Sequence, residues 1–148
     1  MGNWFTSLFG GKKKEQEKPD DLITWSKAYE VGHELIDQQH QTLVNMINEL
    51  NQVVTGQGTR EDIGKILSKL VNYTVFHFGA EEELFKNTDY PHTEAHIKKH
   101  EELVQKVSAF QEEFAQNRTE VSDELLNFLT DWLIQHIHGT DRGYRDYI

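Results

Sequence analysis

The feature that most constrains this chain is an apolar helix stripe that turns polar without changing face. Ile63, Ile66, Leu67, Leu70 and Tyr73 recur at helical spacing and mark one side of a helix. The next positions on that side are His77, Glu81 and Leu84, so an imidazole and a carboxylate four residues apart are predicted to point inward. A buried polar group left uncompensated costs roughly 2–7 kcal/mol by transfer estimates. A His–Glu hydrogen bond would satisfy one such pair. A bound metal would also do so, because imidazole nitrogen and carboxylate oxygen both ligate iron, zinc and manganese.

The rest of the chain repeats the pattern. Ile36, His40, Leu43, Ile47, Leu50 and Val54 share one face of a first helix, after an extended or irregular stretch over 22–32. Gly56-Gln-Gly58 is expected to end that helix by supplying a left-handed residue. Thr59-Arg-Glu-Asp62 resembles a capping box that opens the second helix. A third helix carries His92, His96, His100, Leu103, Val107, Phe110 and Phe114 at steps of three or four. Spacing alone lets His92/His96 compete with His96/His100 as the inward pair. Thr119 is a candidate N-cap for a fourth helix with Leu125, Leu129, Trp132, Leu133 and His136 on one side. His136 and Asp141 are five apart, about 140° round a regular helix, so they reach one centre only if the last turn is distorted or ends, which Gly139 permits.

Amphipathic helices joined by short turns predict an all-α fold, an antiparallel up-down-up-down four-helix bundle over 22–148 with an N-terminal extension over 1–21. Antiparallel order then sets depth. His40 lies early in the first helix, His77 and Glu81 late in the second, His96 and His100 early in the third, His136 late in the fourth. All fall at one end of the bundle. Converging groups of this kind are better explained by metal than by chance pairing. The set is too large for one ion that also leaves room for a ligand, and suits two ions bridged by the carboxylates. With an additional oxo or hydroxo bridge, a three-histidine ion is six-coordinate and a two-histidine ion five-coordinate, with one position open.

Composition removes several alternatives. The 148 residues carry 25 acidic and 15 basic side chains, a net charge of −10 that argues against a nucleic-acid partner. Without cysteine there is no disulfide, thiolate ligand or cysteine nucleophile. No apolar run approaches the ~18–20 residues of a membrane span. Residues 1–14 differ from the remainder: Trp4, Phe5, Leu8 and Phe9 would share a helix face ahead of Lys12-Lys13-Lys14. That suits either a disordered tail or a small anchor at a membrane surface or a membrane-bound partner. Met1-Gly2 with Thr6 also fits the loose myristoylation pattern.

Taken together, the motifs resemble the hemerythrin family in its single-domain prokaryotic branch. The resemblance rests on Val31-Gly32, Ile36-Asp37-Gln38-Gln39-His40, Asn48-Glu49-Leu50, Tyr73-Thr74, His77-Phe78-Gly79-Ala80-Glu81-Glu82, Tyr90-Pro91, His96-Ile-Lys-Lys-His100 and Trp132-Leu133-Ile134-Gln135-His136-Ile137 leading to Asp141. It implies two irons as cofactor: His40 and His77 on the five-coordinate one, His96, His100 and His136 on the six-coordinate one, Glu81 and Asp141 bridging. It further implies reversible dioxygen binding, with Leu43, Phe78, Trp132, Leu133 and Ile137 at the oxygen-pocket positions. His33 and His138 are expected at the surface or behind the ligands. The implied function is oxygen storage, transport or delivery to an oxygen-consuming enzyme, in the cytoplasm or at the membrane periphery, and not catalysis. Oxygen or redox sensing, iron storage and peroxide or NO chemistry are the alternatives. Ferritin-like oxygen-activating enzymes use Glu-x-x-His on two helices, whereas the motif occurs here only at Glu30–His33.

Overall fold

In the computed structural model, which describes residues 21–56, 58–116, 123–137 and 141–148, four helices form the bundle. They are α1 (Glu34–Thr55), α2 (Arg60–Lys86), α3 (Thr93–Ala115) and α4 (Asp123–Gln135), with 3-10 turns at Lys27–Tyr29 and Asp141–Tyr147. α2 packs on both α1 and α3, and α4 packs on α1. The side chains of residues 123–124 and 141–143 lie outside the described part, as do residues 1–20, Thr119, His138 and Gly139.

The helix ends have local causes. Thr59 caps α2 by accepting from the Asp62 amide at 3.1 Å. His33 caps α1 through Nδ1, which accepts from the Ile36 amide at 3.4 Å. Asp37 holds the approach to α1, its carboxylate accepting from the amides of Val31 at 2.7 Å and Gly32 at 3.2 Å. Gly32 has φ +93°, which is why a residue without Cβ stands there. Asn48 pairs with the backbone of Ile23, donating to its carbonyl at 2.8 Å and accepting from its amide at 3.1 Å, and so straps the entry segment onto α1.

α1 ends at Gly56-Gln-Gly58 as expected, with Gly56 as its C-cap, but neither glycine is left-handed: Gly56 has φ −83° and Gly32 is the glycine with positive φ among the described residues. The glycine requirement in this turn is spatial instead. A Cβ on Gly58 would stand 2.4 Å from Val53 Cγ1.

The stripes also shift in detail. On α2, Thr74 and Phe85 are buried, while Tyr73 and Leu84 are only half-buried. On α4, Leu126 is buried and Leu125 half-buried. The main core runs through all four helices and includes Leu43, Ile47, Leu67, Leu103, Leu129 and Leu133. A second, smaller cluster of Val31, Ile36, Phe85, Tyr90 and Tyr144 closes the opposite side of the histidines.

Candidate metal centre

Glu81 is the hub of the site. It is fully buried on α2, and the Nε2 atoms of five histidines surround it. His100 lies 3.0 Å from Oε1, His136 3.3 Å, His77 3.5 Å and His96 3.8 Å, while His40 lies 3.7 Å from Oε2. Tyr144 donates its hydroxyl to Oε2 at 2.7 Å. These atoms form two overlapping groups, His40/His77/Glu81/His136 and Glu81/His96/His100/His136, each with its ligand atoms within 4.8 Å of one another.

The surroundings fix the rings. His77 Nδ1 contacts Gln39 Oε1 at 2.7 Å, and His100 Nδ1 contacts Glu82 Oε2 at 3.0 Å. Phe78 stacks on His100 with centroids 3.7 Å apart and planes 2° from parallel, and Trp132 stacks on His136 at 5.0 Å and 17°. Phe85 meets His96 edge-on at 4.7 Å. The last turn of α4 widens into a π turn at His136–Ile137, a local distortion of the kind often found at functional positions.

Burial alone would raise the Glu81 carboxyl above its usual range. The attraction of His77 and His136, with hydrogen bonds from His100 and His136, overcomes this and holds it well below that range. An ionised, fully buried carboxylate ringed by imidazole nitrogens fits a multivalent cation. It supplies negative charge and nitrogen donors and no sulfur, a set suited to iron, manganese or zinc.

Six of the seven sequence-predicted ligands are thus brought together; the side chain of Asp141 lies outside the described residues. His92 is separated from them. It is exposed at the N-cap of α3, edge-on to Tyr90, so the buried stripe of that helix begins at His96 and not at His92. Leu43, Phe78, Leu133 and Ile137 are buried, and Trp132 is half-buried. The Phe78 ring lies against His100 and His136, and the Trp132 ring against His136. A cleft of about 310 Å³ between α3 and α4, lined by Lys99, Leu103, Lys106, Phe128 and Trp132, reaches the His136 ring.

Sequence reasoning did not single out Gln39, Glu82 or Tyr144 as partners of the site. Gln39 had a detectable signal, since it lies three residues after Ile36 and four before Leu43, at the edge of the α1 stripe. Tyr144 stands in a 3-10 segment where helical periodicity carries no information.

Fold and centre together define an all-α, histidine-rich cation-binding bundle. The family model described as "Hemerythrin HHE cation binding domain" matches residues 31–148, and the chain belongs to the hemerythrin family. It is 35% identical over 127 residues to a bacteriohemerythrin of Stenotrophomonas maltophilia, covering 86% of this chain and 82% of that one. It is also 35% identical over 125 residues to a bacteriohemerythrin of Methylococcus capsulatus, covering 83% and 94%. A wild-type hemerythrin crystal structure superposes with TM-score 0.79 at 33% identity, over 84% of this chain and 96% of that one. Family membership supports, in general terms, a non-haem-iron oxygen-binding protein. Among the described residues, no helix is long and apolar enough to cross a membrane.

Proposed function

We propose that this chain reversibly binds dioxygen at a di-iron centre and serves to store, carry or deliver it, without being an enzyme. His40 and His77 would hold one iron, His96, His100 and His136 the other, and Glu81 with Asp141 would bridge them. When bound, the iron pair supplies the redox-active centre at which dioxygen is taken up and released.

The observation that carries this reading is the donor set. Five imidazoles gather around one buried carboxylate. Neutral imidazoles stabilise high oxidation states of the metal less than a carboxylate-rich set would, which favours release of oxygen over its activation. The Glu-x-x-His motif contributes nothing to the centre, because His33 is occupied in capping α1. Leu43, Leu133 and Ile137 are buried, and Phe85 and Tyr144 pack on His96; such apolar surroundings would limit the access of water to the centre.

An optical spectrum of the iron-loaded protein, recorded anaerobically, after oxygen and after its removal, tests the proposal. A pair of irons per chain and an absorption that appears with oxygen and disappears without it are expected. Iron binding with no reversible response would overturn the carrier reading. Oxygen consumption at a steady rate in the presence of a reductant would point to an enzyme instead.

A further inference from the structure

We propose, resting on the di-iron reading above, that Gln39 and Glu82 are positioning residues that make the two halves of the centre electronically unequal. Each crosses a helix–helix boundary to reach a histidine from behind. Gln39 on α1 meets His77 Nδ1 on α2 at 2.7 Å, and Glu82 on α2 meets His100 Nδ1 on α3 at 3.0 Å. The Gln39 amide oxygen and the Glu82 carboxylate are acceptors, so each ring carries a proton on Nδ1. The Nε2 atoms, the ones left for a metal, are turned towards Glu81, at 3.5 Å for His77 and 3.0 Å for His100.

The two acceptors differ in charge. A hydrogen bond to a carboxylate is roughly twice as strong as one to a neutral amide, and it draws the Nδ1 proton further from the ring. The ring behind which it stands becomes the more basic ligand. His100 is therefore the stronger donor of the two; on the di-iron reading it would serve the iron held with His96 and His136, and His77 the iron held with His40. The metal on the His100 side is held more firmly in its oxidised state; the metal on the His77 side gives up its electron less readily. The two positions differ in burial: Gln39 is 4% exposed and the Glu82 side chain 31%.

Exchanging the two acceptors tests this. In the iron-loaded protein, Glu82→Gln should weaken ferric relative to ferrous binding by about tenfold, within the 10–100-fold range usual for such partners. That is a rise of about 59 mV in a one-electron midpoint potential. Gln39→Glu should move the potential the other way. Opposite signs cannot come from loosened packing, which would act alike in both.

A second arm needs no metal. Nitrogen-15 spectra of the metal-free protein should find Nδ1 protonated in both His77 and His100, with Gln39→Leu releasing only His77 and Glu82→Leu only His100. If the parent binds no iron pair, the di-iron reading fails while the nitrogen spectra still judge the hydrogen bonds. If it binds the pair and both potentials shift in one direction or by less than threefold in affinity, the inference is overturned. Glu82→Gln, at a partly exposed position, decides the matter alone should Gln39→Glu fail to fold.

Discussion

Replacing Tyr144 with phenylalanine removes a single oxygen from the wall of the centre and leaves the ring in place. The tyrosine is fully buried, packed edge-on to Phe85 at 4.9 Å and tilted against His96 at 5.5 Å, and those contacts survive the change. What is lost is the 2.7 Å hydrogen bond to Glu81 Oε2. A hydrogen bond to a charged group contributes about 1.5–3 kcal/mol, so the metal-free variant should be less stable by that amount at neutral pH. His40 Nε2, at 3.7 Å from the same oxygen, is outside hydrogen-bond range and offers little replacement. The pH dependence follows from the sign of the Glu81 shift. A carboxyl held below its usual range contributes stability that is present above the unfolded value, about 4.3, and is lost as pH falls through the folded value. Without the Tyr144 donor the folded value rises, so acid unfolding should begin at higher pH than in the parent. Denaturant melts of the metal-free proteins at neutral pH, with an acid titration followed by circular dichroism, measure both effects. The same substitution in a Glu81→Gln background should cost clearly less. A loss below about 0.5 kcal/mol, or an equal loss in both backgrounds, would refute a charge-assisted bond as the role of Tyr144.

Three further outcomes are expected. His92→Ala should leave iron content unchanged, whereas His100→Ala should lower it well below a pair per chain; a colorimetric iron assay that found the reverse would mean the register of α3 is wrong. Leu133→Ala should cost about 2–5 kcal/mol as a core cavity and, in folded and fully loaded protein, speed the decay of the oxygen-dependent absorption in air. Equal decay rates would make Leu133 ordinary core. Deletion of residues 2–14 should spare the oxygen response and abolish co-sedimentation with anionic vesicles, because weak anchoring needs apolar and electrostatic contributions together; unchanged sedimentation would return the segment to a plain tail.

The bundle and its centre were legible in the sequence for one reason. His40, His77, Glu81, His96, His100 and His136 occupy stripe positions that would otherwise be apolar, so periodicity locates them directly. The same periodicity is blind to a choice between steps of three and four. Hence Leu84 was expected inside where Phe85 is buried, and Leu125 where Leu126 is. It also cannot say where a buried stripe stops: His92 keeps the spacing but falls at the N-cap of α3, where it is exposed. The cap at Gly56 misled for another reason, since glycine signals either handedness or lack of room, and here the turn needs room at Gly58. Partners such as Gln39 and Glu82 depend on how neighbouring helices are rotated, which a one-helix pattern does not contain.

The arrangement of the two apolar clusters decides how the protein should respond to losing its metal. Far from the centre, α2 and α3 are held by contacts that owe nothing to it. The Arg60 guanidinium donates to the Phe114 carbonyl and lies 4.0 Å from the centroid of the Phe114 ring, and Gln111 donates to Ser68 at 2.7 Å. The main core fills the interior between those contacts and the histidines. The smaller cluster is different, because Phe85 and Tyr144 pack directly on His96, and Tyr144 is bonded to Glu81. Its packing is therefore conditional on how well the imidazoles are held. Metal binding adds its free energy to the elements that carry the ligands, and stability within one fold is rarely uniform. Removing iron should then speed amide exchange in the second half of α2, the first turns of α3 and the Asp141–Tyr147 segment, while the middle of α1 and the Gln111 region keep their protection. Hydrogen exchange of the loaded and metal-free proteins measures this region by region. Uniform acceleration along all four helices would show that the bundle unfolds as one unit and that its main core does not stand without the metal.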